Sequence, residues 1–283
     1  NHHPRHLTIA EDMRNNDYLT KSEAEGGANF GSQWDAEFVH PVRDVLQQPN
    51  DEYRSMSKLR NALCHRYNLD SFERVIYTES HGEVANGKTR LPTEINSEEP
   101  DSWEAQKRST LGACFMLTAP GIPMLLQGQE FLWQNYFDDG DPLDWQQAKE
   151  FSGILQLYRD LIRLRRNLDG NTAGLMGQHI DVRHVNDADK LIAYRRWNEE
   201  GPGDDVMVIA NLSCRAREGY RVGVPQQGTW QVRFNGDWEG YSPTYDGTRQ
   251  ADVKSEAIEC DGWPDSIAVN VAPYSAIILS MDA

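Results

Sequence analysis

The sequence predicts an α/β region followed by an all-β region, and three observations carry that prediction. Up to about residue 168, short β-type runs alternate with stretches of helical spacing, the pattern of βα units on a parallel sheet. Past Asn167 the texture changes to short strands between Gly and Asp/Asn turns, which reads as an antiparallel sandwich. The third is the segment VIYTESHGEVANGK (residues 75–88), where an apolar run ends abruptly in Glu79, Ser80, His81 and Glu83. In barrels of parallel strands, catalytic side chains sit where a strand's carboxyl end enters its loop. The expected division is 1–168 and 169–283.

The elements follow in order. Strands are expected at Leu7–Ala10, around Phe30–Gln33, at Val75–Thr78 and at Met124–Leu126. Helices are expected at Ser57–Tyr67, Trp103–Thr118 and Ser152–Arg166, where apolar residues recur three and four apart. The last is the clearest: Ile154, Leu155, Leu157, Tyr158, Leu161, Ile162 and Leu164 form a wide stripe, with Arg159, Arg163, Arg165 and Arg166 largely off it. In the second region, strands are expected at Ile180–His184, Leu191–Arg196, Val206–Ala210, Gly228–Phe234, Ala268–Val271 and Ser275–Leu279. The stretch Tyr241–Glu256 is polar enough to read as a mobile loop.

Composition narrows the partners. The 283 residues carry 28 basic and 44 acidic side chains, a net charge of −16. That argues against nucleic acid and anionic membranes, which require basic patches, and suits a neutral substrate such as a sugar. No stretch approaches the ~20 apolar residues of a membrane span. Cys64, Cys114, Cys214 and Cys260 are far apart with no CxxC pair, so reduced thiols in a cytoplasm are the simplest reading. No metal site and no cofactor motif is evident. The opening Asn1-His2-His3-Pro4, without an initiating Met, hints at a fragment or a processed product.

Three motifs stand in order along the first region. LTIAEDM (Leu7–Met13) sets Glu11 directly after a short strand. TESHGE (Thr78–Glu83) follows the third expected strand, and GIPMLLQGQEF (Gly121–Phe131) frames the fourth with Pro123, Gly128 and Glu130. Together they resemble the α-amylase family (glycoside hydrolase family 13), and the ESH form is most similar to its 1,4-α-glucan branching enzymes. The segment Pro142-Leu143-Asp144-Trp145 is similar to one found in the same lineage.

The resemblance implies strands five to eight of a (β/α)8 barrel followed by a C-terminal β-sandwich. It implies that Glu11 is the general acid/base and that His81 contacts the glucose at the cleavage point. It also implies that Gly128 and Glu130 are structural near the site, and that Gly82 occupies the place of a transition-state Asp. The family's nucleophile, an Asp in a G-x-R-x-D motif after strand four, has no counterpart here. Retaining glycoside cleavage needs two carboxyl groups about 5 Å apart, so this chain alone is expected to be inactive. Glu79 is a further candidate at the site, with Glu83 beside it. Trp34, Trp133, Tyr136 and Trp145 adjoin expected strand ends, where an aromatic face can stack on a sugar ring or simply pack.

The expected partner is an α-glucan. The leading expectation is a branching enzyme, with an amylase or a trehalose-releasing hydrolase as alternative and a catalytically dead glucan-binding protein as a second. An incomplete barrel would leave open edges and apolar faces, so self-association through that half is expected.

Overall fold

The structure, a computed structural model, describes residues 6–85 and 87–283; the Asn1–Pro4 opening lies outside the described residues. Strands β1 (Ile9–Ala10), β2 (Ser32–Trp34), β3 (Arg74–Ile76) and β4 (Ile122–Pro123) form a parallel sheet in the order β1-β2-β3-β4. Helices α1 (Ala36–Gln47) and α2 (Met56–Cys64) connect β2 to β3. Helices α3 (Leu91–Ile95) and α4 (Trp103–Thr118) connect β3 to β4, and α5 (Trp145–Glu150) and α6 (Ser152–Arg165) follow β4. The crossover from β1 to β2 carries only two 3-10 turns, Asp17–Leu19 and Glu23–Glu25, and no α-helix.

Two expectations are corrected here. The fourth strand lies at Ile122–Pro123, not at Met124–Leu126; Val75 pairs with Ile122 and Ile76 with Pro123. Pro123 has no N–H to give to a ladder, which is tolerated at the edge of a sheet. The ladder resumes one residue later, where Met124 N–H donates to the Ile76 carbonyl at 2.9 Å. Helix α1 was not expected, because Pro41 lies inside it. Its apolar residues nevertheless recur at helical spacing: Phe38, Val39, Val42, Val45 and Leu46 are all buried, and Asp35 caps its start by accepting from Glu37 N–H.

The second region holds β5 (His179–Asn186), β6 (Leu191–Trp197), β7 (Val206–Asn211), β8 (Arg217–Val224), β9 (Thr229–Asn235), β10 (Val253–Lys254), β11 (Asp265–Val271) and β12 (Ser275–Ser280). All pairings are antiparallel: a six-stranded sheet in the order β10-β9-β12-β7-β6-β5 and a two-stranded β11-β8 sheet. One face of the large sheet packs Leu191, Ala193, Met207, Ile209 and Ile277 against Val222, Val224, Ile267 and Val269 of the small one. The other face packs Ile192, Tyr194, Val208 and Ile278 into the same core as α2, α4 and α6. Coverage on both faces explains why β7 and β12 are apolar runs rather than alternating ones.

Strand β8 was missed because Arg217, Glu218 and Gly219 break the apolar pattern at its start, although Tyr220 packs against the sandwich core. The stretch Tyr241–Glu256 is likewise corrected. Tyr241 and Tyr245 are buried in the main core, and Val253 pairs with Trp230. Lys107 of α4 sits over the Tyr245 ring and is bound to Asp237 at 2.6 Å, so this stretch is anchored from below.

Three buried arginines set the start of β4. Arg74 donates to the Pro120 carbonyl, Arg165 to those of Ala119 and Gly121, and Arg196 to that of Thr118. They come from β3, α6 and β6, so the chain leaving α4 is held by both regions at once. Buried polar backbone without such partners costs free energy, and these guanidiniums satisfy four carbonyls in succession.

Candidate active site

The carboxyl ends of the first three strands lie side by side at one edge of the sheet. Glu11 follows β1 directly, Trp34 ends β2, and Tyr77 and Thr78 extend β3 toward His81. His81 Nε2 lies 3.4 Å from Glu11 Oε1, with about half of each side chain exposed (49% and 54%). Trp34 meets the His81 ring edge-on at 5.6 Å and the Tyr77 ring at 5.1 Å. Phe137, from the loop after β4, meets the imidazole at a tilt, with ring centroids 6.1 Å apart. The Tyr77 hydroxyl donates to Met13 Sδ at 3.2 Å, and burial pushes its phenol well above the ordinary range.

The loop that carries His81 is fixed on both sides. Glu79 is buried, bound to Arg90 at 3.0 Å, and accepts from Leu91 N–H at 2.6 Å. Arg90 in turn donates to the carbonyls of Gln127 and Asn135, tying this loop to the one after β4. Glu83 is clamped by His40 at 3.2 Å and Lys88 at 3.3 Å, with Arg43 at 3.7 Å, while its N–H donates to the Ser80 carbonyl. Thus Glu79 does not face the site. Both of its oxygens are engaged in structure, and the expectation of a sugar contact there gives way to an anchoring one.

Gly82, next to His81, is exposed, and a Cβ built on it meets only Ser80 Oγ at 3.8 Å. Its backbone does not require glycine. Gly128 is the opposite case: its φ is +89°, and a Cβ would lie 2.8 Å from Trp133 Cβ and 2.9 Å from Leu143 Cδ2. Only glycine fits on both counts. Glu130 is half-buried on the short 3-10 turn that follows.

The aromatic candidates separate by burial. Trp133 is buried, with its N–H on the Gly128 carbonyl, and belongs to packing rather than to the site. Tyr136 and Trp145 are exposed, and Trp34 is half-exposed at the site itself. Phe137, Tyr77 and Met13 were missed by sequence reasoning. Tyr77 could have been found by strand alternation, since it points the same way as Val75; Phe137 had no signal, because the fold alone brings its loop beside His81.

Chemically, an exposed carboxyl beside an imidazole that is flanked by Trp34 and Phe137 can donate a proton and hydrogen bonds to sugar oxygens. The site offers one carboxyl group, where retaining cleavage uses two.

The fold places the chain beside a class of proteins, the α-amylase family, which it resembles in both regions. Residues 182–282 match the family model described as the alpha amylase C-terminal all-beta domain. More particularly, the chain is similar to 1,4-alpha-glucan branching enzymes. It is 30% identical to that of Pseudomonas syringae pv. tomato over 97% of this chain and 36% of that enzyme. It is 26% identical to that of Rubrobacter xylanophilus over 98% of this chain and 38% of that enzyme. Among solved structures, a pullulanase from Anoxybacillus sp. complexed with maltotetraose superimposes with a TM-score of 0.62. Its identity is 17%, covering 91% of this chain and 36% of that one. An alpha-amylase from H. orenii gives 0.61 at 16% identity, covering 98% and 53%. The chain spans about a third of the length of the curated relatives it matches. No helix among the described residues is long and apolar enough to cross a membrane.

Proposed function

We propose that this chain is the C-terminal part of an α-glucan-active retaining enzyme, a cytoplasmic 1,4-α-glucan branching enzyme. Residues 1–168 form strands five to eight of its (β/α)8 barrel, and 169–283 form the β-sandwich that braces them. The observation that carries this reading is the contact between His81 and Glu11 at the carboxyl edge of a parallel sheet. Glu11 acts as acid/base: it protonates the glycosidic oxygen and then deprotonates the acceptor 6-hydroxyl. His81 hydrogen-bonds the glucose at the cleavage point, with Trp34 and Tyr136 supporting the chain. The nucleophilic carboxylate comes from the four strands that complete the barrel, and position 82 is that of the third carboxylate.

The chain by itself turns nothing over, because a lone carboxyl group cannot carry a double displacement. Its unpaired sheet edges favour self-association. The test is product analysis on amylose with the protein joined to the four strands that precede it in the parent gene. New α-1,6 linkages support the reading, and new reducing ends without them assign a hydrolase instead.

Gly82 favours a second reading, a glucan-binding protein without catalysis. In that case glycogen retards the joined protein in affinity electrophoresis while amylose stays intact.

A further inference from the structure

We infer that Arg43 of α1 is a positioning residue for His81: its guanidinium closes, at both ends, the loop that presents the imidazole. The consequence for turnover rests on the reading of His81 as the contact to glucose; the geometry stands without it.

Between β3 and α3 the described residues form no strand or helix. Their internal backbone bonds are short turns: Glu83 and Val84 N–H donate to the Ser80 carbonyl, and Lys88 N–H to that of Ala85. A surface segment of this kind does not fix a side chain unless a rigid element holds it. Arg43, buried on α1, does so. Its Nη1 donates to the Thr78 carbonyl at 2.7 Å, just ahead of Glu79, and its Nη2 to the Thr89 carbonyl at 3.5 Å. The same guanidinium binds Glu94 of α3 at 2.5 Å and lies 3.7 Å from Glu83. Glu94 in turn accepts from Thr89 N–H at 3.3 Å, so the exit of the loop is held through its N–H and its carbonyl together.

His40, one turn earlier on α1, binds Glu83 at 3.2 Å. One helix thus touches the entrance, the middle and the exit of the loop. That helix starts at its Asp35 cap directly after Trp34, the ring that meets His81 edge-on. Arg43 therefore ties the end of β2 to the loop of β3 by a rigid element. The side-chain type matters. Arginine presents a planar fork of five donors, whereas an ammonium is a point charge on a flexible stem. Arg43→Lys keeps the charge facing Glu83 and Glu94 but cannot hold Thr78, Thr89 and Glu94 at once.

Two measurements test this. The first follows histidine resonances of the full 283-residue chain carrying ¹³C-labelled histidine. His81 lies between the rings of Trp34 and Phe137, whose ring currents make its signal sensitive to position. Arg43→Lys is expected to shift the His81 signal and to leave that of His184, bound to Asp261 and Tyr220 in the sandwich, in place. Should Arg43→Lys unfold, which displaces His184 as well, Glu94→Gln at a partly exposed side chain carries the same expectation. An unmoved His81 signal in a folded variant overturns the inference.

The second is a double-mutant cycle in the joined protein, scored by turnover of amylose. Arg43→Lys is expected to cost about 10- to 100-fold, the scale of a misplacement by an ångström. In a His81→Ala background it is expected to cost nothing more, because it acts through that side chain. Losses that multiply in the double variant assign Arg43 a general structural role and overturn the inference. A shifted His81 signal, with His81→Ala at wild-type turnover or with no turnover in any joined protein, keeps the positioning and sinks only the catalytic reading.

Discussion

His81 Nε2 stands 3.4 Å from Glu11 Oε1, although the two residues follow different strands with β2 and its Trp34 between them. Their proximity depends on the register of the parallel sheet and on the anchored loop that presents His81. In the joined protein, Glu11→Gln is expected to cut turnover of amylose about 10²–10⁴-fold, the range of a lost general acid/base. Iodine-stained amylose assays measure this, and turnover close to wild type would remove Glu11 from the mechanism.

Gly82 is free of the backbone and steric demands that make Gly128 obligatory. Gly82→Asp should therefore leave stability within about 0.5 kcal/mol, as exposed substitutions do. In the joined protein it should raise turnover about 10²–10³-fold, the scale of one transition-state group. No gain at an unchanged melting temperature would show that position 82 has another role.

Glu79 and Arg90 form an ion pair with both side chains almost wholly buried (1% and 3% exposed). Glu79→Gln leaves the Arg90 charge uncompensated, and about 3–5 kcal/mol of stability should be lost. Urea unfolding of the chain reads this directly. Unchanged stability with weakened maltoheptaose binding would return Glu79 to the sugar-contacting set.

Asp51 joins the α1–α2 connection to the sandwich. Burial alone pushes its carboxyl upward, but hydrogen bonds from the Tyr274 hydroxyl at 2.7 Å and Cys214 N–H at 2.7 Å, together with Arg54, hold it below the ordinary carboxylate range. A depressed folded-state pKa means that the unfolded chain binds the proton first. The stabilisation is thus complete above the unfolded value of about 3.9 and disappears as pH falls through the folded value. Thermal melts stepped down from pH 5 should show Asp51→Asn losing less stability than wild type. Parallel losses would mean that other carboxylates govern acid unfolding.

The open side of the parallel sheet exposes Leu7 and Ile9 at the β1 edge and Leu125 beyond β4. Unpaired edges with apolar neighbours invite association. Ile9→Lys combined with Leu125→Lys is expected to shift the chain toward monomer in size-exclusion chromatography and to reduce binding of an apolar-surface dye. A wild-type chain that already elutes as a sharp monomer, without dye binding, would contradict this.

Local pattern made much of the fold legible. Helix α6 and most strands of the sandwich follow from periodicity, because each buries a face whose spacing is written in consecutive residues, whereas α4 is buried on all sides from Ala105 to Thr118. Helix α1 was hidden by Pro41, and β8 by Arg217, Glu218 and Gly219 at its start. In α1 the apolar spacing outweighs the proline, and in β8 tertiary packing outweighs a weak local signal.

The sequence by itself determined the kind of chain this is: parallel βα units, then an antiparallel sandwich, with Glu11, His81 and Gly128 at strand ends. Only the tertiary structure decided which of the singled-out side chains share a site. It brought His81 to Glu11, set Phe137 beside the imidazole, withdrew Glu79 into an ion pair with Arg90, and buried Trp133 against Gly128. The reason is physical. Secondary structure depends on residues a few positions apart, whereas a site depends on sheet register and on loops whose partners lie far away in the chain.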